Sequence, residues 1–343
     1  MRSASREAFA RRLADHLWAK GATIALTTII ARAPGRICLL GDNADLLEEP
    51  AIAAAISSFL TVRIETRTDD QVSLTGADIG VSESFHLPDE VSFDSPLKYV
   101  KAVYARYQSQ LQHGFELTIR SDIPISAGLS SSTALCIATI RGLSELCGQS
   151  LTPGEIAELS FEIERYDLDI DCGRMDQYAI AFGGVTYIRT GEQAQVERLP
   201  IDSLPVLVAD TEEKHDTRAL QKWLRARIAR EDPSLMAPLL EVVDLVEAGK
   251  EAILAEDLLE LGAIMNRQQV LERAMGTSTE RLELYCRRAR EAGALGAKQM
   301  GAGGGGCMIA LCPPNQMSAV SEVLASLGAP VWAFNIVPPG AGS

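Results

Sequence analysis

The sequence predicts a mixed chain of helices and strands, folded as two α/β lobes that share a cleft and divide near residue 200. Three observations carry this prediction. Over the first part of the chain, short β-branched runs alternate with amphipathic stretches. Past residue 200, helical periodicity dominates and only short apolar runs interrupt it. No Pro-, Gly- or Ser-rich linker separates the halves, so the division is a change of character inside one body.

Taken in order, Ser3–Lys20 has Phe9, Leu13 and Leu17 at helical spacing. Thr23–Ala31, Ile37–Leu40, Leu60–Thr66 and Phe115–Ile119 read as strands, and Lys98–Leu111 as an amphipathic helix. A second helix, Ser131–Cys147, follows a Gly and Ser cluster. Thr152 and Pro153 open another, because Thr caps free N–H groups and Pro fits the first helical position. After Gly183 and Gly184 the run VTYI is a strand. Leu204–Ala209 is a short apolar strand. Helices are expected over Thr217–Arg230, Leu235–Ala248, Ala252–Ala274, Ser278–Ala292 and Gln316–Leu327, with closing strands at Cys307–Cys312 and Val331–Val337.

Composition excludes several functions. Lys and Arg number 32 against 46 Asp and Glu, a net charge of −14, so no global field attracts nucleic acid. No apolar run reaches the ~20 residues of a membrane span, and the first residues lack the apolar stretch of a secretory signal. Seven dispersed cysteines with no CxxC pair, and four histidines, argue against a zinc site and for a reducing cytoplasm.

Three glycine-rich segments carry the chemistry. In PISAGLSSSTA, Pro124–Ala134, small residues at a helix start leave backbone N–H groups unshielded beside the positive end of the helix dipole. This is an anion cradle, or else an N-capped helix after a turn. It lacks the lysine of a Walker loop. In QMGAGGGGCMIAL, Gly301–Gly306 is interrupted only by Ala302, which suits close approach to a ligand or a hinge. In APGRICLLGDNADL, Arg36 precedes an apolar strand, and Asp42, Asn43 and Asp45 cluster after Gly41, as a hydroxyl-binding turn or a solvated one.

Together the three segments resemble the motifs of the GHMP kinases, in the same order and at similar spacing, over about 300 residues. A fourth stretch, CGRMDQ at Cys172–Gln177, is similar to the CGxMDQ of galactokinases and places the chain nearest the sugar-1-kinase branch. The resemblance implies an α+β, two-lobe fold: a ribosomal-S5-like N-terminal lobe over residues 1–200 with the Ser-rich loop, and a ferredoxin-like C-terminal lobe over 201–343. It implies ATP and Mg²⁺, a small-molecule acceptor, no nucleic acid or membrane partner, and a monomer or homodimer.

By the same resemblance, Asp176 is the catalytic base and Arg36 stabilises the transferring phosphoryl group. The nucleotide would be held by Pro124, Ser126, Ala127, Gly128, Leu129, Ser130, Ser131 and Ser132 and by Gly301, Gly303 and Gly304. Ser132 and Glu164 would hold the metal. Asp42, Asn43, Asp45 and Gly173 would bind the acceptor, expected to be a sugar or sugar acid phosphorylated at C1. Asp42 and Asn43 stand where galactokinases have Glu and His, and Leu46 where they have an aromatic residue, so the hydroxyl pattern recognised is expected to differ from galactose. Mevalonate kinase is the alternative enzyme; Asp42 and Asp45 would repel its acidic substrate, whereas Arg174 would favour one. A non-catalytic sensor on the same fold is the alternative of another class, and the intact Ser-rich loop, Asp176 and Arg36 weigh against it.

Overall fold

The computed structural model describes residues 26–124, 127–191, 194–213, 216–338 and 340. The helix expected at Ser3–Lys20, and Ser126, lie outside the described residues.

The first sheet has seven strands. They are β1 (Thr28–Leu40), β2 (Ala51–Thr66), β3 (Gln71–Gly76), β4 (Val81–His86), β5 (Phe115–Ser121), β6 (Val185–Arg189) and β7 (Gln195–Leu199). The order is β4-β3-β5-β2-β6-β7, with β1 along the other edge of β2. Only the β3–β5 pair is parallel. The two strands expected at 23–31 and 37–40 are one strand, because a register shift at Pro34/Gly35 takes up the irregularity without ending the pairing. That shift has a use: Arg36 N–H donates to Leu129 O at 3.1 Å and docks the Ser-rich loop on β1.

Four helices cover this sheet: α1 (Lys98–Tyr107), α2 (Ser131–Leu146), α3 (Pro153–Glu162) and α4 (Met175–Phe182). Both α2 and α4 lie against β1 and β2. Thr152 and Glu155 form a reciprocal capping box at the start of α3. Past Glu162 the helix widens into a π-helical turn, Ile163–Asp167, which turns Glu164 inward.

The second sheet is antiparallel: β8 (Val206–Asp210), β9 (Gly296–Gln299), β10 (Cys307–Leu311) and β11 (Val331–Phe334), in the order β11-β8-β10-β9. That is the order of a βαββαβ ferredoxin-like unit, here with four helices between its first two strands. They are α5 (Thr217–Ile228), α6 (Pro233–Leu254), α7 (Leu258–Met275) and α8 (Glu280–Glu291); α9 (Met317–Ser326) precedes β11. The break expected at 249–251 falls instead at 255–257, where Asp257 caps α7. Gly249 is a packing residue inside α6, since a Cβ there would stand 2.0 Å from Leu40.

The two sheets form one body. The chain after β11 returns to the first sheet: Ile336 bridges Ile56, and Val337 N–H donates to Ala55 O at 2.9 Å. The largest apolar core runs through both, from Ile37 and Ile52 to Val208 and Ile309, and a second packs the other face of the second sheet at Leu207 and Met308. Among the described residues no helix is long and apolar enough to cross a membrane.

Candidate active site

The end of β1, the starts of α2 and α4, and the glycine loop before β10 meet around a cleft of about 290 Å³. Arg36, Asp45, Ser132, Glu164, Asp176 and Gly301 all line it. Residues distant in sequence therefore converge where the two sheets adjoin, a usual place for a ligand.

At its centre Arg36 grips Asp176 with two parallel bonds, Nε to Oδ1 at 2.6 Å and Nη2 to Oδ2 at 2.8 Å. The third edge of the guanidinium donates to Gly128 O at 2.6 Å. Arg36 is buried, which works against its charge, but Asp176 outweighs that and raises its pKa. A planar fork is the group that makes such a bidentate pair.

Ser130 completes the group. It sits at φ +57° before α2, and its hydroxyl donates to Asp176 Oδ2 rather than capping its own helix. The first N–H groups of a 16-residue helix are thereby left without a side-chain cap, facing the cleft. With the helix dipole behind them they form an anion site. Gly128 and Ser132 line the cleft, while Ala127 and Leu129 are buried beneath the loop as packing. Beside Ser131 and Ser132 opens a second, mostly apolar cleft of about 230 Å³, walled by Ile79, Pro96, Leu97, Tyr99 and Leu135.

Glu164 is buried, and burial pushes its carboxyl up to about 7. Thr133 (3.2 Å), Ser160 (3.3 Å) and Gln177 (3.1 Å) donate to it. Gln177 Oε1, beside it, is buried without a partner. Asp45 is pushed up to about 6 by burial, then by Asp176 and Asp42, against Arg225 and Arg36. It lies on Gly173, where a Cβ would stand 2.8 Å from Asp45 Oδ2 and would displace that carboxylate.

The expected acceptor turn is divided. Asp45 presents its carboxylate to the cleft wall at Gly173. Asp42 and Asn43 also border the cleft, but Asp42 is engaged elsewhere by Lys298, Gln268 and Gly301 N–H, and the Nδ2 of Asn43 by Glu272. The glycine loop is divided too. Gly301, Gly305 and Gly306 border the cleft. Gly304 N–H docks on Thr277 O at 2.7 Å, and a Cβ on Gly303 would stand 2.2 Å from that oxygen. Arg174 is not an acceptor contact: it pairs with Glu158 at 2.8 Å and stacks over Phe161 at 3.9 Å, outside the cleft wall.

Comparison with known proteins gives the family. Residues 98–184 match the family model described as GHMP kinases N terminal domain, and residues 250–329 the one described as GHMP kinases C terminal. The mevalonate kinase of Thermococcus sibiricus is 35% identical over 321 residues, 88% of this chain and 95% of that kinase. The chain belongs to the GHMP kinases. It is thus a phosphotransferase acting on a hydroxyl acceptor, with ATP as donor. The crystal structure of the Methanococcus jannaschii mevalonate kinase, at 23% identity and a TM-score of 0.78 over 91% of this chain and 99% of that one, shares the fold. The galactokinase of Pyrococcus furiosus is more distant, at 26% identity over 87% of this chain and 93% of that enzyme. The sugar-1-kinase branch expected from CGRMDQ is therefore not where the higher identities lie.

Several residues of this GHMP kinase site had no role in the sequence reading. Lys298 lies in a four-residue strand, GAKQ, with no hydrophobic pattern to announce it. Gln177 stands inside the quoted motif, and Thr133 inside the Ser-rich run, yet only the fold shows that both reach Glu164. Tyr99, which walls both clefts, has no local signal at all.

Proposed function

We propose that this chain transfers the γ-phosphoryl group of ATP to a hydroxyl of a small acceptor held between lobes 1–200 and 201–343, in the cytoplasm. The observation that carries the reading is the Arg36–Asp176–Ser130 group at the uncapped start of α2. Residues of the Ser-rich loop supply backbone N–H groups to the phosphates, and the apolar cleft beside Ser131 accommodates a flat base next to them. Asp176 orients the acceptor hydroxyl and takes its proton, and Arg36 meets the charge on the phosphoryl group. Positioning and charge do most of such a reaction.

Hard oxygen donors gather beside the phosphate site: the Glu164 carboxylate, the Ser132 and Thr133 hydroxyls, and the unpartnered Gln177 Oε1. That set suits Mg²⁺, and Ser132 and Glu164 would hold it. The metal would neutralise phosphate charge when bound. The carboxyl of Glu164, raised in its absence, is a group that a cation would return to its ionised form.

For the acceptor, the relatives favour mevalonate, since proteins named mevalonate kinase match at 35% identity over 88% of this chain. A sugar is favoured by one observation: Asp45 on Gly173 offers a carboxylate to hydroxyl groups, while the one cationic side chain on the wall among the described residues, Arg36, is already held by Asp176. A coupled ADP-release assay with ATP and Mg²⁺ separates the two, using mevalonate, galactose, glucuronate, galacturonate and a phosphorylated heptose. Turnover on one acceptor identifies it, and silence with all five, ATP binding being intact, would refute both acceptor readings.

A further inference from the structure

A cluster of buried polar side chains stands behind the cleft, between the Gly41–Asp45 turn and the glycine loop. Lys298 and Glu272 are 0% exposed and Asp42 2%. The Lys298 ammonium uses all three of its N–H bonds, on Asp42 Oδ2, on Gln299 O at 2.8 Å and on Cys38 O at 3.4 Å. Asp42 Oδ1 accepts from Gly301 N–H at 2.5 Å, at the entrance of the glycine loop. Gln268 joins the same turn twice: it donates to Asp42 Oδ2 and accepts from Gly41 N–H, both at 3.3 Å. Glu272 takes Asn43 Nδ2 at 3.2 Å, Gln299 Nε2 at 3.1 Å and Thr277 Oγ1 at 2.6 Å. Thr277 O in turn holds Gly304 N–H.

Apart from the Lys298 bond to Cys38 O on β1, the bonds of this cluster end on the Gly41–Asp45 turn, on the glycine loop or on the α7–β9 frame between them. A buried ion pair costs about as much in desolvation as it returns, so it adds little net stability over an apolar filling. Gln299 Oε1 in this cluster is buried without a partner, and what the bonds that are made supply is one arrangement of the groups they join. Here those are the acceptor-side turn, through Gly41, Asp42 and Asn43, and the glycine loop, through Gly301 and Gly304.

We propose that Asp42 and Lys298 are positioning residues that lock the Gly41–Asp45 turn to the glycine loop, and that Asp42 is not a ligand of the acceptor. The assignment rests on the kinase reading for its catalytic consequence, but not for the lock itself. Loosening the lock misplaces the phosphate-side wall relative to the acceptor, and such a misplacement lowers turnover more than it weakens acceptor binding. Acceptor choice then falls to Asp45 and its neighbours across the cleft.

The test uses the full chain with three variants. Asp42→Asn/Lys298→Met removes both charges of the pair together. It is expected to lower kcat at least 30-fold with the acceptor KM within threefold, and to speed amide exchange over 300–306 at least tenfold. Asp42→Glu keeps the ion pair and is expected to recover most of the kcat. An acceptor KM raised tenfold or more by the double variant would make Asp42 an acceptor ligand and overturn the proposal, as would unchanged exchange in the loop. If the double variant does not fold, Gln268→Met carries the test. Exchange at Gly41 and Gly301 is then expected to rise at least threefold, and unchanged exchange at both overturns the lock. If the unaltered chain turns over none of the five acceptors, both acceptor readings fail, and the exchange measurements alone still decide the lock.

Discussion

Asp176→Asn separates chemistry from architecture at this site. The carboxylate accepts three bonds, two from Arg36 and one from Ser130. An amide keeps the acceptor toward one of them and turns an NH₂ toward donors, so one charge-assisted pair becomes a donor facing a donor. Breaking a fully buried pair costs about 3–5 kcal/mol. Asp176 is 27% exposed on its side chain, so water relieves part of that, and about 1–2 kcal/mol is expected. In a chain of this size that lowers the melting temperature by roughly 1–3 °C. The loss of a positioned base costs about 10²–10⁴ in rate, far beyond what the small loss of folding produces. The assay is ADP release at saturating ATP and acceptor, with calorimetry of a non-hydrolysable ATP analogue. Nucleotide affinity is expected within threefold of the unaltered chain. A kcat within tenfold, with the expected thermal shift, would remove Asp176 from the chemistry and leave it an anchor for Arg36.

Other substitutions test the surrounding parts. Gly173→Ala pushes a methyl group 2.8 Å from Asp45 Oδ2; the acceptor KM should rise at least tenfold with the ATP KM unchanged, and equal effects on both would deny the acceptor role. Ile79→Asp places a charge on the wall of the apolar cleft; loss of about 1.4 kcal/mol of apolar contact raises the ATP KM about tenfold, and an unchanged KM would move the base elsewhere. Glu164, raised from 4.5 to about 7, favours the folded apo chain below pH 4.5, and that contribution is lost as pH rises through 7. Glu164→Gln should therefore flatten the decline in thermal stability between pH 5 and 8 and raise the Mg²⁺ needed for half-maximal rate; an unaltered metal requirement would exclude Glu164 as a ligand.

What could be read from the sequence, and what could not, follows from the range of each interaction. The start of the third helix at Thr152 and Pro153 lies within one turn and was readable from those two residues, whereas the Glu155 half of its capping box was not read. The Ser-rich helix start announces its free N–H groups locally, and the β-branched runs 60–66 and 115–119 pair as expected. Strands β3 and β4 escape because each has six residues, only two of them β-branched or aromatic, with polar side chains at the half-buried or exposed positions. β9 escapes because its four residues are all buried yet include a lysine and a glutamine, whose side chains find most of their partners far away in sequence. The same range explains Asp42. Its local setting, a polar turn after a strand, reads as substrate contact, and the lysine that holds it is 256 positions on. Arg174 beside Asp176 points away from the cleft because the first turn of α4 directs neighbouring side chains to opposite sides.

The acceptor's charge can be read from pH. Asp45 has its carboxyl pushed up to about 6 by burial and by Asp176 and Asp42, against Arg225 and Arg36. Below that value it is neutral, and above it a carboxylate. An anionic acceptor whose own charge is constant from pH 5.5 to 7.5 loses one repulsive neighbour on acidification. At 6 Å and an effective dielectric constant of 20 that neighbour costs about 3 kcal/mol, so the KM for mevalonate should fall at least tenfold between pH 7.5 and 5.5. A neutral polyol behaves oppositely, because its hydroxyl groups donate more strongly to the carboxylate than to the acid, and its KM should rise. Glu164 titrates in the same range but acts on both acceptors alike, so the ratio of the two KM values isolates Asp45. Asp45→Asn, which has no charge to lose, should hold that ratio constant with pH. A ratio that still moves in Asp45→Asn would place the titrating group elsewhere and remove Asp45 as the residue that reads the acceptor.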